Sequence, residues 1–143
     1  MPIVSGRSDW HGTLHGGSGT ISTASDTLNA VPYTFASRFE GADGACPEEL
    51  LAAAHAACYN QALSNISGKE GSQVASISTT AEVTMGDDDR GRPAITAIHL
   101  DVEAKAPGMS QEVFQYLAEQ ARARCAFSKM LVLEPTLTAK LVP

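Results

Sequence analysis

Three cysteines, Cys46, Cys58 and Cys125, are the residues of this 143-residue chain best suited to covalent chemistry. They are too few and too widely spaced for a disulfide framework, and no C-x-x-C pair offers a zinc or thioredoxin-like motif. A thiolate can attack the O–O bond of a peroxide to become a sulfenic acid, and a second thiol that reaches it condenses to a disulfide. Such chemistry needs a lowered thiol pKa, because an unperturbed cysteine near ~8.5 is mostly protonated at neutral pH. A guanidinium such as Arg38 supplies that shift when it lies beside the sulfur, and a carboxylate such as Glu48 can hold its planar fork. His55, three residues before Cys58, reads either as a base for the thiol or as a packed histidine. His55 and Cys58 also have the spacing of two metal ligands, but no second pair supplies the rest, so no metal and no other cofactor is expected.

The element that must position Cys58 is a helix beginning at Cys46. Pro47 suits the first helical turn, where its missing N–H is not needed, and Glu48 and Glu49 complement the positive end of the helix dipole. Leu50, Ala53, Ala54, Ala57, Cys58 and Gln61 recur at the i, i+3, i+4, i+7 spacing of one face, which predicts that face as the buried one. Cys58 then lies inside, as a small core hydrophobe or as a shielded reactive group. A later helix opens at Ser110, with Glu112 in its first turn, and its apolar stripe Phe114, Leu117, Ala118, Ala121 ends on Cys125. A single core could therefore bring the two thiols together.

Around these helices the pattern is that of strands. Residues 3 to 23 read as two strands joined through His15-Gly16-Gly17-Ser18-Gly19, a turn rather than a phosphate loop, since neither Lys-Ser/Thr nor a helix follows. Tyr33, Phe35, Ser37 and Phe39 share one side of a segment expected to be extended, with Arg38 on the other. Ile77, Thr79, Ala81, Val83 and Met85 alternate along one strand and Thr96, Ile98, Leu100, Val102 and Ala104 along the next. Gly86 to Pro93 joins them as a hairpin loop whose aspartates lack the spacing of a calcium site. Thr136 to Leu141 alternates as a last strand. The order strands, helix, hairpin, helix, strand predicts an α+β fold with a largely antiparallel sheet covering the helices, in one domain over residues 1–143.

Sixteen acidic against ten basic residues give a formal net charge of −6, and the basic residues form no aromatic-basic cluster, which argues against nucleic acid as a partner. No apolar run approaches the ~18 residues of a membrane span, and Met-Pro-Ile-Val-Ser-Gly-Arg lacks the apolar core of a signal peptide. A cytoplasmic protein without a membrane anchor is the expectation.

Taken together, Arg38-Phe39-Glu40-Gly41, Pro47-Glu48-Glu49-Leu50 leading through Ala-Ala-Ala-His-Ala-Ala to Cys58, and Cys125 followed by Ser128-Lys129 resemble the OsmC family, relatives of the organic hydroperoxide resistance proteins. The resemblance spans nearly the whole chain and is closer to the OsmC branch. It implies an OsmC-like α+β fold, with an antiparallel sheet wrapped around central helices in an intertwined homodimer. It also implies Cys58 as peroxidatic cysteine, Cys125 as resolving cysteine, Arg38 as thiolate activator and Glu48 as the carboxylate holding Arg38. Two positions depart from the family pattern: Cys46 stands where Asn is usual, and Ala126 follows Cys125 where Pro is common. Helix geometry bears on the assembly independently, since Glu48 and Cys58 lie ten residues apart and a continuous helix separates them by about 15 Å along its axis. If both serve one sulfur, Glu48 comes from a second chain and the active sites lie between subunits.

The leading reading is a cysteine-based thiol peroxidase that reduces organic hydroperoxides to alcohols through a Cys58 sulfenic acid and a Cys58–Cys125 disulfide. The resemblance implies recycling by an external dithiol of the lipoyl type. Two alternatives stand beside it. One is a non-catalytic dimer that binds an apolar ligand or serves a structural role under stress, with both cysteines in the core. The other is a redox sensor that uses the same disulfide.

Overall fold

A computed structural model, describing residues 2–71 and 73–143, resolves the chain into two compact units, Met1–Leu50 and Leu51–Pro143. In the first, strands β1 (Gly6–His11), β2 (Ser18–Thr23) and β3 (Val31–Tyr33) form an antiparallel sheet in that order. The glycine-rich connection is a hairpin turn, as the sequence predicts. Gly19 faces Trp10 and Tyr33, whose rings pack 5.3 Å apart, and a Cβ at position 19 would come within 2.5 Å of a Tyr33 ring carbon. The glycine is there because the aromatic pair leaves no room for a side chain.

The segment carrying Arg38 is not extended. It is a short helix, α1 (Phe35–Phe39), capped by Thr34. Thr34 Oγ1 accepts from the Ser37 N–H at 3.0 Å and Ser37 Oγ from the Thr34 N–H at 2.9 Å, a reciprocal capping box. Phe35 and Phe39, four apart, pack with ring centroids 5.0 Å apart. Over five residues an apolar spacing of two and of four coincide, and the Thr-x-x-Ser box decides for the helix.

Helix α2 (Pro47–Lys69) begins in the first unit and ends in the second. Cys46 supplies the carbonyl that accepts the first helical hydrogen bond, from the Leu50 N–H at 3.2 Å. The buried stripe differs from the predicted one. His55, Tyr59, Leu63, Ile66 and Ser67 are buried, Cys58 is half-buried beside them, and Ala53, Ala57 and Gln61 are exposed. Alanines on all sides gave the sequence pattern too little contrast, and the larger Tyr59, Leu63 and Ile66 define the inner face because they bury the most area.

The second unit continues with β4 (Ser76–Asp87) and β5 (Pro93–Lys105), paired antiparallel with a bulge between Thr84 and Met85. Both alternate as expected, with Ile98, Leu100, Val102 and Ala104 buried. In the loop, Asp88 accepts the N–H groups of Arg90 and Arg92 and pairs with the Arg92 guanidinium, so this carboxylate holds the turn. Strand β6 (Thr136–Leu141) pairs with β5 in parallel. A parallel neighbour requires a crossover, which α3 (Gln111–Arg124) and the short α4 (Ala126–Met130) provide. The core of this unit joins Tyr59 and Leu63 of α2, Leu100 and Val102 of β5, and Phe114 and Leu117 of α3. Tyr59 keeps its hydroxyl satisfied there by donating to the Ala118 carbonyl at 3.1 Å.

Candidate functional site: a thiol pair and a guanidinium pair

The four residues singled out from sequence meet in two pairs, one within each compact unit. In the second unit, the Cys58 and Cys125 sulfurs lie 3.2 Å apart, with the Cys125 thiol donating toward Cys58. Cys58 reaches this place from the edge of the α2 stripe, one residue before the fully buried Tyr59. Cys125 arrives as the residue that ends α3, its N–H bonded to the Ala121 carbonyl at 2.8 Å, and that begins α4. Its side chain is buried and makes no capping hydrogen bond to the helix it begins.

That missing cap matters for the sulfurs. The first N–H groups of any helix lack intrahelical partners, and a polarisable anion can take them instead. Burial pushes the Cys58 thiol up. The Phe127 N–H, the Cys125 thiol and the Ala126 N–H together outweigh it and bring Cys58 below the ordinary thiol value. Burial pushes the Cys125 thiol up as well, and Cys58 adds to the rise against the N–H groups of Ser128 and Phe127. The pair is therefore polarised, with Cys58 the better thiolate and Cys125 the proton-bearing partner.

One further group in this unit, which the sequence leaves open, lies against α4. His55 is fully buried; its Nε2 lies 3.0 Å from Ser128 Oγ, and its ring stacks on Phe127 at 6.1 Å. Burial lowers its pKa and keeps the imidazole neutral. Among the described residues its hydrogen-bond partner is Ser128 and not Cys58, so the placement is not that of a base for the thiol. Seventy-three positions separate His55 from Ser128, and no local pattern could have paired them.

In the first unit, Arg38 projects from α1 onto Glu48 in the first turn of α2. Its Nε donates to both carboxylate oxygens, at 3.1 and 3.2 Å, and its Nη2 to Oε1 at 2.5 Å. The guanidinium also lies 4.9 Å from the centre of the Phe39 ring. The Glu48 side chain is 9% exposed and that of Arg38 38%, so the carboxylate is the buried anchor and the guanidinium the presented group. Burial pushes the Glu48 carboxyl up, but the Arg38 hydrogen bonds and then the Cys46 thiol prevail and hold it below its usual value. Those same bonds to Glu48 raise Arg38 against the effect of burial.

Cys46 belongs to this second cluster. Its thiol donates to Glu48 Oε2 at 3.2 Å, beside the Arg38 contacts. The sequence marks Cys46 as the start of α2, two residues from Glu48, but spacing alone does not say that its thiol turns to the side chain rather than to the helix amides.

Comparison with known proteins places the chain in a family. The family described as OsmC-like protein matches residues 40–140. Peroxiredoxin OsmC of Escherichia coli K12 is 44% identical over 136 residues, covering 95% of this chain and 94% of that protein. Organic hydroperoxide resistance protein-like 2 of Staphylococcus epidermidis is 32% identical over 92 residues, 63% of this chain and 62% of its own length. Among solved structures, an organic hydroperoxide resistance protein from Elizabethkingia anophelis superposes with a TM-score of 0.71 at 20% identity, covering 99% of this chain and 96% of that one. That likeness confirms the α+β fold expected from the sequence.

Proposed function

The chain belongs to the OsmC-like family, and from that premise we propose that it is a thiol-dependent peroxidase that reduces organic hydroperoxides through Cys58 and Cys125. The observation that carries the reading is the 3.2 Å approach of the Cys58 and Cys125 sulfurs, with Cys58 drawn below the ordinary thiol value and Cys125 pushed above it by burial. The Cys58 thiolate attacks the terminal oxygen of the hydroperoxide and the O–O bond breaks. The alkoxide leaves and takes a proton as the alcohol, and Cys58 is left as a sulfenic acid. The Cys125 sulfur then displaces hydroxide from that sulfenic acid, releasing water and closing a disulfide. An external dithiol, by family likeness of the lipoyl type, reduces the disulfide by exchange.

The role proposed for Arg38 is to stabilise the thiolate and the departing alkoxide, with Glu48 holding its fork and the Cys46 thiol donating to Glu48. Glu48 and Cys58 are ten residues apart on α2, about 15 Å along a helix axis, so one chain's Arg38 and Glu48 are assigned to the Cys58 of a second copy. The protein is on this reading a homodimer with two intersubunit sites. Its three free cysteines suit a reducing compartment such as the cytoplasm. No helix among the described residues is long and apolar enough to cross a membrane.

The test is peptide mapping after one equivalent of an alkyl hydroperoxide. The expected product is a Cys58–Cys125 disulfide, with hydroperoxide consumption in Cys58→Ser lowered on the order of 10³-fold or more. Unchanged consumption by Cys58→Ser would sink the mechanism.

A further inference from the structure

His55 is a buried titratable group to which the proposed reaction gives no task. Ser67, the other buried polar side chain among the described residues of the second unit, spends its hydroxyl on the Leu63 carbonyl of its own helix. His55 instead reaches across to α4. A leucine at position 55 would fill the space without burying a polar ring, which costs free energy unless that ring is used. The ring is used on one side only: Nε2 meets Ser128 Oγ at 3.0 Å, while Nδ1 has no partner among the described residues. Placing the ring proton on Nε2 is the arrangement that leaves a lone pair, and not an N–H, without a partner.

What that hydrogen bond holds is a weak element. Helix α4 has five residues, none fully buried, and no side chain caps its start. Its ties in this unit include its covalent join to buried Cys125, the Ser128 hydroxyl on His55 and the Phe127 ring, which packs against the core and stacks on His55 at 24° between planes. Yet it begins on Cys125, whose sulfur lies 3.2 Å from that of Cys58, so its first turn lies beside the thiol pair, and the N–H groups of Phe127 and Ala126 there draw the Cys58 pKa down. Any drift of α4 removes those amides from Cys58.

We propose that His55 is a positioning residue for the Cys58 thiolate, fixing the first turn of α4 through the Ser128 hydroxyl and the Phe127 ring so that the Ala126 and Phe127 amides stay on the Cys58 sulfur. The inference deepens the thiol peroxidase reading and rests on it for its functional meaning. It gives His55 no contact with substrate. Its effect passes through α4 to the nucleophile.

The test uses the full-length reduced protein. Iodoacetamide labelling of Cys58, Cys46 and Cys125 is followed peptide by peptide by mass spectrometry across the pH range in which thiols ionise. Ser128→Ala is expected to raise the Cys58 midpoint, slowing its labelling below the midpoint by about 3- to 10-fold, half to one pKa unit. Ser128→Thr, which keeps the hydroxyl, should label Cys58 like the wild type, and Cys46 labelling should be the same in all variants. His55→Leu should slow Cys58 at least as much as Ser128→Ala. If His55→Leu does not fold, Ser128→Ala, which removes a single oxygen from a half-buried site, still decides. Equal Cys58 labelling in wild type and Ser128→Ala overturns the proposal. A wild-type Cys58 midpoint at the ordinary thiol value would instead overturn the peroxidase reading, while the shift between wild type and Ser128→Ala would still judge the role of His55.

Discussion

The two pairs of the candidate site solve opposite problems. Arg38 and Glu48 form a charged pair whose strength is in three short side-chain hydrogen bonds, with the carboxylate buried and the guanidinium 38% exposed. Cys58 and Cys125 meet beside an apolar core, where the sulfurs are helped by backbone amides at the start of a short helix. The first cluster is built from partners within ten residues of each other in sequence, and the second from partners 67 apart. One is a local clamp that survives as long as α1 and the start of α2 are formed. The other exists only when the tertiary structure is complete. A reactive thiol is thereby exposed to its amides and its partner thiol only in the folded protein.

The comparison can be broken most directly by removing the clamp. Arg38→Met and Glu48→Gln should each lower hydroperoxide turnover, Arg38→Met by about 10²-fold, as expected for losing one preorganised donor to developing negative charge. Glu48→Gln, which leaves the guanidinium in place but loosens it, should cost less. Steady-state kinetics with excess dithiol reads both, and an Arg38→Met enzyme at wild-type rate would separate the clamp from the chemistry altogether.

A smaller effect sharpens the difference in pH behaviour. Glu48 has a folded-state pKa below its unfolded value, so its contribution to stability is fully present above the unfolded value and is lost as pH falls through the lower folded one. Wild type should therefore lose stability below about pH 4.3, the ordinary glutamate range, more steeply than Glu48→Gln. Urea unfolding between pH 3 and pH 7 measures this, and parallel curves for the two proteins would mean that the clamp contributes nothing in solution. The thiol cluster has its sensitivity at the other end, where Cys58 ionises.

The smallest effect concerns Cys46. Cys46→Ala removes one hydrogen bond to Glu48 and should destabilise the protein by about 1 kcal/mol, while Cys46→Ser, which keeps a donor, should lie closer to wild type. Thermal unfolding at neutral pH distinguishes them. A Cys46→Ala protein as stable as wild type would show that Arg38 alone orders the carboxylate.

The alternation of β4 and β5 and the stripe of α3 ending on Cys125 were legible because large apolar residues repeat there with an unambiguous period. Helix α1 was not, since five residues with Phe35 and Phe39 four apart suit a strand as well as a helix until the Thr34–Ser37 box is weighed. The inner face of α2 was misjudged for a different reason. Ala53 and Ala57 carry the same apolar label as Tyr59 and Leu63 but bury far less area, and the larger side chains set the rotation of the helix. Of the site, the residue types and the linkage of Glu48 to Arg38 could be read as chemistry. The His55–Ser128 contact and the amides aimed at Cys58 could not, because both arise from the placement of α4, which no repeating pattern encodes.

Cys125 ends one helix and begins another with φ −57° and ψ 132°, a backbone geometry open to any L-residue, and it caps neither helix with its side chain. The architecture thus asks nothing of that position except a small apolar volume. Only the proposed reaction asks for sulfur. A lineage could exchange Cys125 for alanine, keep the fold intact and give up the proposed disulfide in one step, so scaffold and proposed cycle are separately inheritable.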